Sequence, residues 1–121
     1  MNKKVLIIED HDSLRYIIGA FLSKKFEVVG ARNGLEAMSW LSKGVMPDVI
    51  ISDARMPELD GASFLSNLRC SGLFSKIPVV IISGADSSEE EQQFQKLGIS
   101  AYFRKPFNPV HLQDQLIQIV G

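Results

Sequence analysis

Residues 48–55 read Asp48-Val49-Ile50-Ile51-Ser52-Asp53-Ala54-Arg55, a short apolar run that breaks abruptly into a carboxylate. Val49, Ile50 and Ile51 follow one another without polar alternation, as residues do in strands buried on both faces of a parallel sheet. Four further runs of this kind lie at residues 4–8, 26–31, 78–82 and 100–103. Amphipathic segments separate them. Asp12 or Ser13 is placed to cap a helix carrying Leu14, Ile17, Ile18, Phe21 and Leu22, the stripe spacing of a core-facing helix. Asn33 precedes Leu35, Met38 and Leu41, and Gly44 closes that segment; Asp60-Gly61 opens Phe64, Leu65 and Leu68. Asp86, Ser87 or Ser88 caps the acidic turn Glu89-Glu90-Glu91, and Gly98 ends the helix after Leu97. Asn108-Pro109 starts the last helix, with Leu112, Leu116, Ile117 and Val120 following.

Strict alternation of strand and helix predicts an α/β domain with a parallel sheet. Five such units in 121 residues exclude an eight-unit barrel by length. The expected fold is a single doubly wound (βα)5 flavodoxin-like domain over residues 1–121, with strand order 2-1-3-4-5. No linker, repeat or low-complexity stretch marks a second domain.

Bulk properties narrow the function. The chain is 45% hydrophobic and 22% charged with a net charge of −1, an ordinary globular mix. Its Lys and Arg residues are scattered, so nothing draws nucleic acid or anionic lipid. Cys70 is the one cysteine, which excludes an intrachain disulfide and a cysteine metal cluster. The apolar run Val5-Leu6-Ile7-Ile8 is too short for a signal-peptide core, and no run could span a bilayer. A cytoplasmic location is expected.

In a doubly wound sheet, function collects beyond the carboxyl ends of the strands, at the point where strand order reverses. Strand 1 ends in Glu9-Asp10-His11-Asp12, strand 3 in Ser52-Asp53-Ala54-Arg55, strand 4 in Ser83-Gly84-Ala85 and strand 5 in Arg104-Lys105-Pro106. The order 2-1-3-4-5 puts Asp53 at the centre of this rim, with Glu9 and Asp10 on one side and Ser83 and Lys105 on the other. Carboxylates this crowded repel one another. A hard divalent cation such as Mg²⁺ (or Mn²⁺), together with the Lys105 ammonium, offsets that repulsion. Cation, ammonium and hydroxyl are the parts of a phosphoryl-transfer site. Asp53 is then the nucleophile that forms an acyl phosphate, with Ser83 and Lys105 on the phosphoryl oxygens.

Glu9-Asp10 after an apolar strand, Asp53 after Ile50-Ile51-Ser52, the turn Met56-Pro57-Glu58-Leu59-Asp60-Gly61, Ser83 after residues 79–82, and Lys105-Pro106-Phe107 together resemble the receiver domains of bacterial response regulators. The resemblance covers essentially the whole chain. It implies that Asp53 is the phosphoacceptor, and that Glu9, Asp10, Asp53 and the backbone carbonyl of Arg55 hold Mg²⁺ with water. It implies Ser83 as the switch hydroxyl, Tyr102 as the switch aromatic, Lys105 as the phosphate partner, and a cis Lys105-Pro106 bond. The implied partners are a sensor histidine kinase or phosphotransfer protein, and an output partner on the face of the fourth helix, fifth strand and fifth helix. A receiver of this kind catalyses only its own phosphorylation and dephosphorylation.

This chain departs from the commonest pattern at Glu9, where aspartate is more frequent; its longer arm is expected to reach a metal through water. Arg55 and Ala85 occupy the positions that lean over the phosphoryl group. Arg55 is expected to place charge there, since Ala85 offers it no carboxylate. Gly98-Ile99-Ser100-Ala101 and a last helix without Lys or Arg lack the charged dimer signature of winged-helix regulators, so a monomer or weak dimer is expected.

The same residues have plainer readings. Glu9, Asp10 and Asp12 suit a solvated helix start, Ser83 a turn, Tyr102 an immobile edge-strand aromatic, His11 an exposed loop, and Glu89-Glu90-Glu91 a solvated cap. Trp40 and the methionines suit helix packing. Among other classes, a phosphatase of the haloacid dehalogenase type needs a general acid where Arg55 stands. An FMN carrier needs a phosphate loop where Glu9-Asp10-His11-Asp12 would repel it. A degenerate receiver used only for docking would not need the acidic pair, acceptor, hydroxyl and lysine all present.

Overall fold

A computed structural model describes residues 2–85 and 87–121. Five strands, β1 (Lys4–Ile8), β2 (Glu27–Ala31), β3 (Val49–Asp53), β4 (Val79–Ser83) and β5 (Ala101–Arg104), alternate with five helices, α1 (Asp12–Leu22), α2 (Gly34–Ser42), α3 (Gly61–Cys70), α4 (Ser88–Lys96) and α5 (Pro109–Val120). The strands form one parallel sheet in the order β2-β1-β3-β4-β5. This is the flavodoxin-like arrangement expected from the alternation.

The central strands are apolar throughout because each has a core on both sides. Leu6 and Ile8 of β1, Ile50 of β3, and Val79 and Ile81 of β4 pack with Leu41, Phe64, Leu65, Leu68 and Phe94 from α2, α3 and α4. Val5, Ile7, Val49, Ile51, Val80 and Ile82 point the other way, onto Ile18 and Leu22 of α1 and Leu112 and Leu116 of α5. A period of two thus sorts one continuous apolar run into two cores. The edge strands β2 and β5 are only partly covered and carry mixed residues.

Several local expectations need correction. His11, without a side-chain cap bond, precedes α1, and Asp12 lies inside the first turn, where Arg15 donates to it. Ile17 is 58% exposed and Leu35 53%, so neither belongs to the core stripe of its helix. Ile117 is likewise exposed. Buried small residues do part of the packing instead: Ala37, beside Leu41, carries the inner face of α2. Asn33, Asp60, Ser87 and Asn108 cap α2, α3, α4 and α5 as side-chain acceptors. Asp86 lies outside the described residues. Gly44 and Gly98 follow α2 and α4 with φ of 102° and 86°, the left-handed geometry that glycine tolerates.

Contacts at both ends fix α3 in place. In its last turn, Arg69 donates from Nη1 to the carbonyls of Ser75 and Ile77 and from Nη2 to that of Gly98, at 2.9–3.0 Å. It fastens the loop entering β4 to the turn leaving α4. At the other end of α3, the Gly61 amide donates to the Ala54 carbonyl at 3.2 Å. A Cβ at Gly61 would lie 2.5 Å from the Asp53 carbonyl oxygen and 3.1 Å from Ala54 Cα.

All three atoms that a Cβ at Gly61 would meet are backbone, so none can turn aside. Gly61→Ala is expected to destabilise the domain by about 1–3 kcal/mol. Gly72→Ala, where a Cβ meets nothing within 4 Å, serves as the control in urea unfolding.

Candidate functional site: an acidic rim bridged by a lysine

Sheet register brings the candidate residues together. Ile8 pairs with Ser52, so Glu9 and Asp53 leave adjacent strands side by side. Asp53 pairs with Ile82 and Ser83 with Arg104, which places Ser83 and then Lys105 on the far side of Asp53. The Lys105 ammonium sits between two strands, 3.0 Å from Glu9 Oε1 and 3.1 Å from Asp53 Oδ2. The Lys105-Pro106 bond is cis, as expected.

Glu9 is fully buried, with both oxygens engaged: Oε1 by Lys105, and Oε2 by the backbone N–H of His11 at 3.0 Å. Burial pushes its carboxyl above the ordinary 4.5; the His11 amide and Lys105 pull it down, while Asp53 and Asp10 add to the rise. Burial alone would lower the Lys105 ammonium, but Glu9 and Asp53 outweigh it and hold Lys105 above its usual value. One oxygen of the acidic pair is left over. Among the described residues, Asp10 Oδ1 is buried and accepts no hydrogen bond, with His11 Nδ1 3.4 Å away.

Ligand atoms of Glu9, Asp10, His11 and Asp53 all lie within 4.8 Å of one another. The oxygen-rich set, with the orphaned Asp10 oxygen, fits a hard cation better than a soft one. His11 is largely exposed, as expected, yet its ring nitrogen reaches this group. The Arg55 backbone N–H lies 3.5 Å from Asp53 Oδ1, at the limit of hydrogen-bond reach.

Ser83, Tyr102 and Arg55 do not converge on Asp53. All three converge on Glu90. Ser83 Oγ donates to Glu90 Oε1 at 2.5 Å, and Tyr102 O–H donates to the same oxygen at 2.8 Å. Arg55 Nε donates to Oε2 at 3.1 Å. The Ala85 amide donates back to Ser83 Oγ at 3.1 Å. Burial would raise the Glu90 carboxyl, but its three donors outweigh this and hold it below the usual range.

Two expectations are therefore corrected. Glu90, only 12% exposed, is not part of a solvated cap, and Arg55 has a carboxylate partner after all, on α4. The available signal was Ser87-Ser88-Glu89-Glu90, a capping-box spacing. Ser87 accepts from the Glu90 amide in that manner, while the Glu90 side chain is turned to the rim.

Sheet and rim define a class of protein: a flavodoxin-like α/β domain with an acidic pocket at its topological switch point. The model of the response regulator receiver domain matches residues 5–117, and the chain belongs to this family of two-component signalling domains. It is 31% identical over 120 residues to chemotaxis protein CheY1 of Helicobacter pylori, covering 98% of this chain and 97% of that one. It is 35% identical over 104 residues to histidine kinase P4 of Formosa agariphila, covering 86% of this chain but 8% of the kinase. Among solved structures, chemotaxis protein CheY4 of Vibrio cholerae superposes with a TM-score of 0.90 at 31% identity, covering 98% of this chain and 99% of that one. Receiver domains are signalling domains rather than classical enzymes. They work with histidine kinases and phosphotransfer proteins, and typically bind Mg²⁺ at an acidic pocket. Among the described residues, no helix is long and apolar enough to cross a membrane.

Removing Lys105 leaves a buried carboxylate beside Asp53 with no cation. Lys105→Met is expected to cost roughly 2–3 kcal/mol near neutral pH in the presence of a chelator, less than for a fully buried pair because the lysine is partly exposed. The sign with pH follows from linkage. A carboxyl whose folded value is raised binds its proton more tightly when folded, so its contribution is full below 4.5 and falls as pH rises. Loss of Lys105 raises Glu9 further, so the deficit against wild type should grow as pH rises above the wild-type Glu9 value, itself above 4.5, in urea unfolding.

Proposed function

We propose that residues 1–121 form one receiver domain that takes a phosphoryl group from a histidine kinase or phosphotransfer protein onto Asp53. The observation that carries this reading is the Lys105 ammonium held between Glu9 and Asp53, beside the orphaned oxygen of Asp10. An Asp53 carboxylate oxygen forms the bond to phosphorus as the phosphorus–nitrogen bond of the donor breaks. The electron pair leaves on the imidazole nitrogen, which takes up a proton. Lys105 then pairs with an oxygen of the acyl phosphate, and Ser83 donates to another.

Glu9, Asp10, Asp53 and the Arg55 carbonyl are the residues that would hold Mg²⁺ (or Mn²⁺), with Glu9 acting through water. When bound, the ion neutralises charge on the phosphoryl oxygens. Asp10 supports this assignment more directly than Glu9, whose two oxygens already have partners. The domain catalyses only its own phosphorylation and dephosphorylation. Arg55 lends its charge to the acyl phosphate, and Ala85 leaves it room to do so.

The phosphoryl group brings about −1.5 to −2 charge. Movement of Ser83 and then Tyr102 toward it would remodel the α4-β5-α5 face for an output partner. A cytoplasmic location and a monomer or weak dimer accompany this reading.

Acetyl phosphate with Mg²⁺ is expected to add one phosphoryl group by intact mass; Asp53→Asn and chelation should each abolish the addition. A wild-type chain left unmodified overturns the proposal. Arg55→Ala is expected to change the rates of phosphorylation and dephosphorylation severalfold, read by stopped sampling of the same species. Unchanged rates remove Arg55 from the site.

A further inference from the structure

We infer that Glu90 is a positioning residue of the phosphoryl switch, a built-in anionic acceptor that holds Ser83 and Tyr102 on one carboxylate oxygen until a phosphoryl oxygen displaces it. The inference rests on Asp53 being the phosphoacceptor, and deepens that reading by naming what restrains the switch.

Protons are the limiting quantity. A serine hydroxyl has one proton to donate, and so has a tyrosine. Ser83 gives its proton to Glu90 Oε1, and its oxygen accepts from the Ala85 amide. Tyr102 gives its proton to that same Glu90 oxygen. Neither residue can reach a phosphoryl oxygen on Asp53 as a donor without leaving Glu90. Carboxylate and phosphoryl oxygens are the same kind of partner, anionic acceptors of a charge-assisted bond. They therefore compete for the same hydroxyl.

Glu90 is well placed for this work. Its backbone is held by the Ser87 cap, and the carboxylate reaches Ser83 at the end of β4. Through Oε2 it also engages Arg55, two residues beyond the acceptor on β3. One side chain of α4 thus joins the loop after β3, the end of β4 and the body of β5. Transfer of Ser83 to a phosphoryl oxygen would break the link between β4 and α4, and leave Tyr102 and Arg55 as the remaining donors to Glu90.

The test uses beryllofluoride, a phosphoryl mimic, titrated with Mg²⁺ and followed by calorimetry. Glu90→Ala is expected to bind it roughly tenfold more tightly than wild type, the size of one hydrogen bond to a charged group. Glu90→Gln, which keeps the side-chain volume and one acceptor oxygen, should fall between the two and covers the case in which the alanine variant does not fold. A purely structural role is separated by a double-mutant cycle: in a Ser83→Ala background the gain from Glu90→Ala or Glu90→Gln should shrink. Wild-type binding with no gain in any folded Glu90 variant, or a gain that persists in full without the Ser83 hydroxyl, overturns the inference and leaves Asp53 as acceptor intact. Wild type that binds no beryllofluoride removes the acceptor reading, and this inference with it.

Discussion

Charge balance at the carboxyl end of the sheet is the constraint on which the rest depends. Glu9 is fully buried and Asp53 nearly so, and Asp10 stands next to them. Without a cation, this arrangement would force at least one carboxyl to remain protonated or the strands to part. Lys105 supplies the compensation from the far edge of the site, 96 residues away in sequence from Glu9. The charge pair therefore ties the first strand to the loop after the last. It is satisfied only when β3 and β4 lie between them in the correct register.

The apolar core serves this arrangement directly. Because β1, β3 and β4 are covered on both faces, their ends are held rigidly, and groups at those ends inherit that rigidity. Gly61 adds a second restraint from outside the sheet. With no side chain, it lets the first turn of α3 close onto the backbone of Asp53 and Ala54. Asp53 is thus backed by a helix end as well as flanked by two strands.

Much of this was legible in the amino-acid order. Unbroken Val/Ile runs marked the strands, and the abrupt appearance of Glu9, Asp53, Ser83 and Lys105 after those runs marked the rim. Order and polarity along a strand are local properties, and so survive in one dimension. Exposure of Ile17 and Leu35 was not legible, because a helical stripe does not say how far its neighbours extend over it. Glu90 was hidden for another reason. In a run of three glutamates, only the phase set by Ser87 separates the one facing the rim from the others. The partners of that residue lie on three different strands or their loops, which no sequence spacing reports. The carboxylate that meets Arg55 escaped in the same way: Ala85 offers none, and the partner comes from the next element along.

The anchoring of α4 has a mechanical consequence. At its lower end, Arg69 grips the Gly98 carbonyl and two carbonyls before β4. At its upper end, Glu90 is held by a hydroxyl, a phenol and a guanidinium. Carbonyls cannot be drawn toward an anion, whereas all three donors can. If a phosphoryl group arrives at the rim as proposed, only the top fastening would loosen, and the helix would turn as a lever about its base. On that reading the largest excursion would fall on its first turn, where Glu90 meets Tyr102, and the smallest beside Gly98.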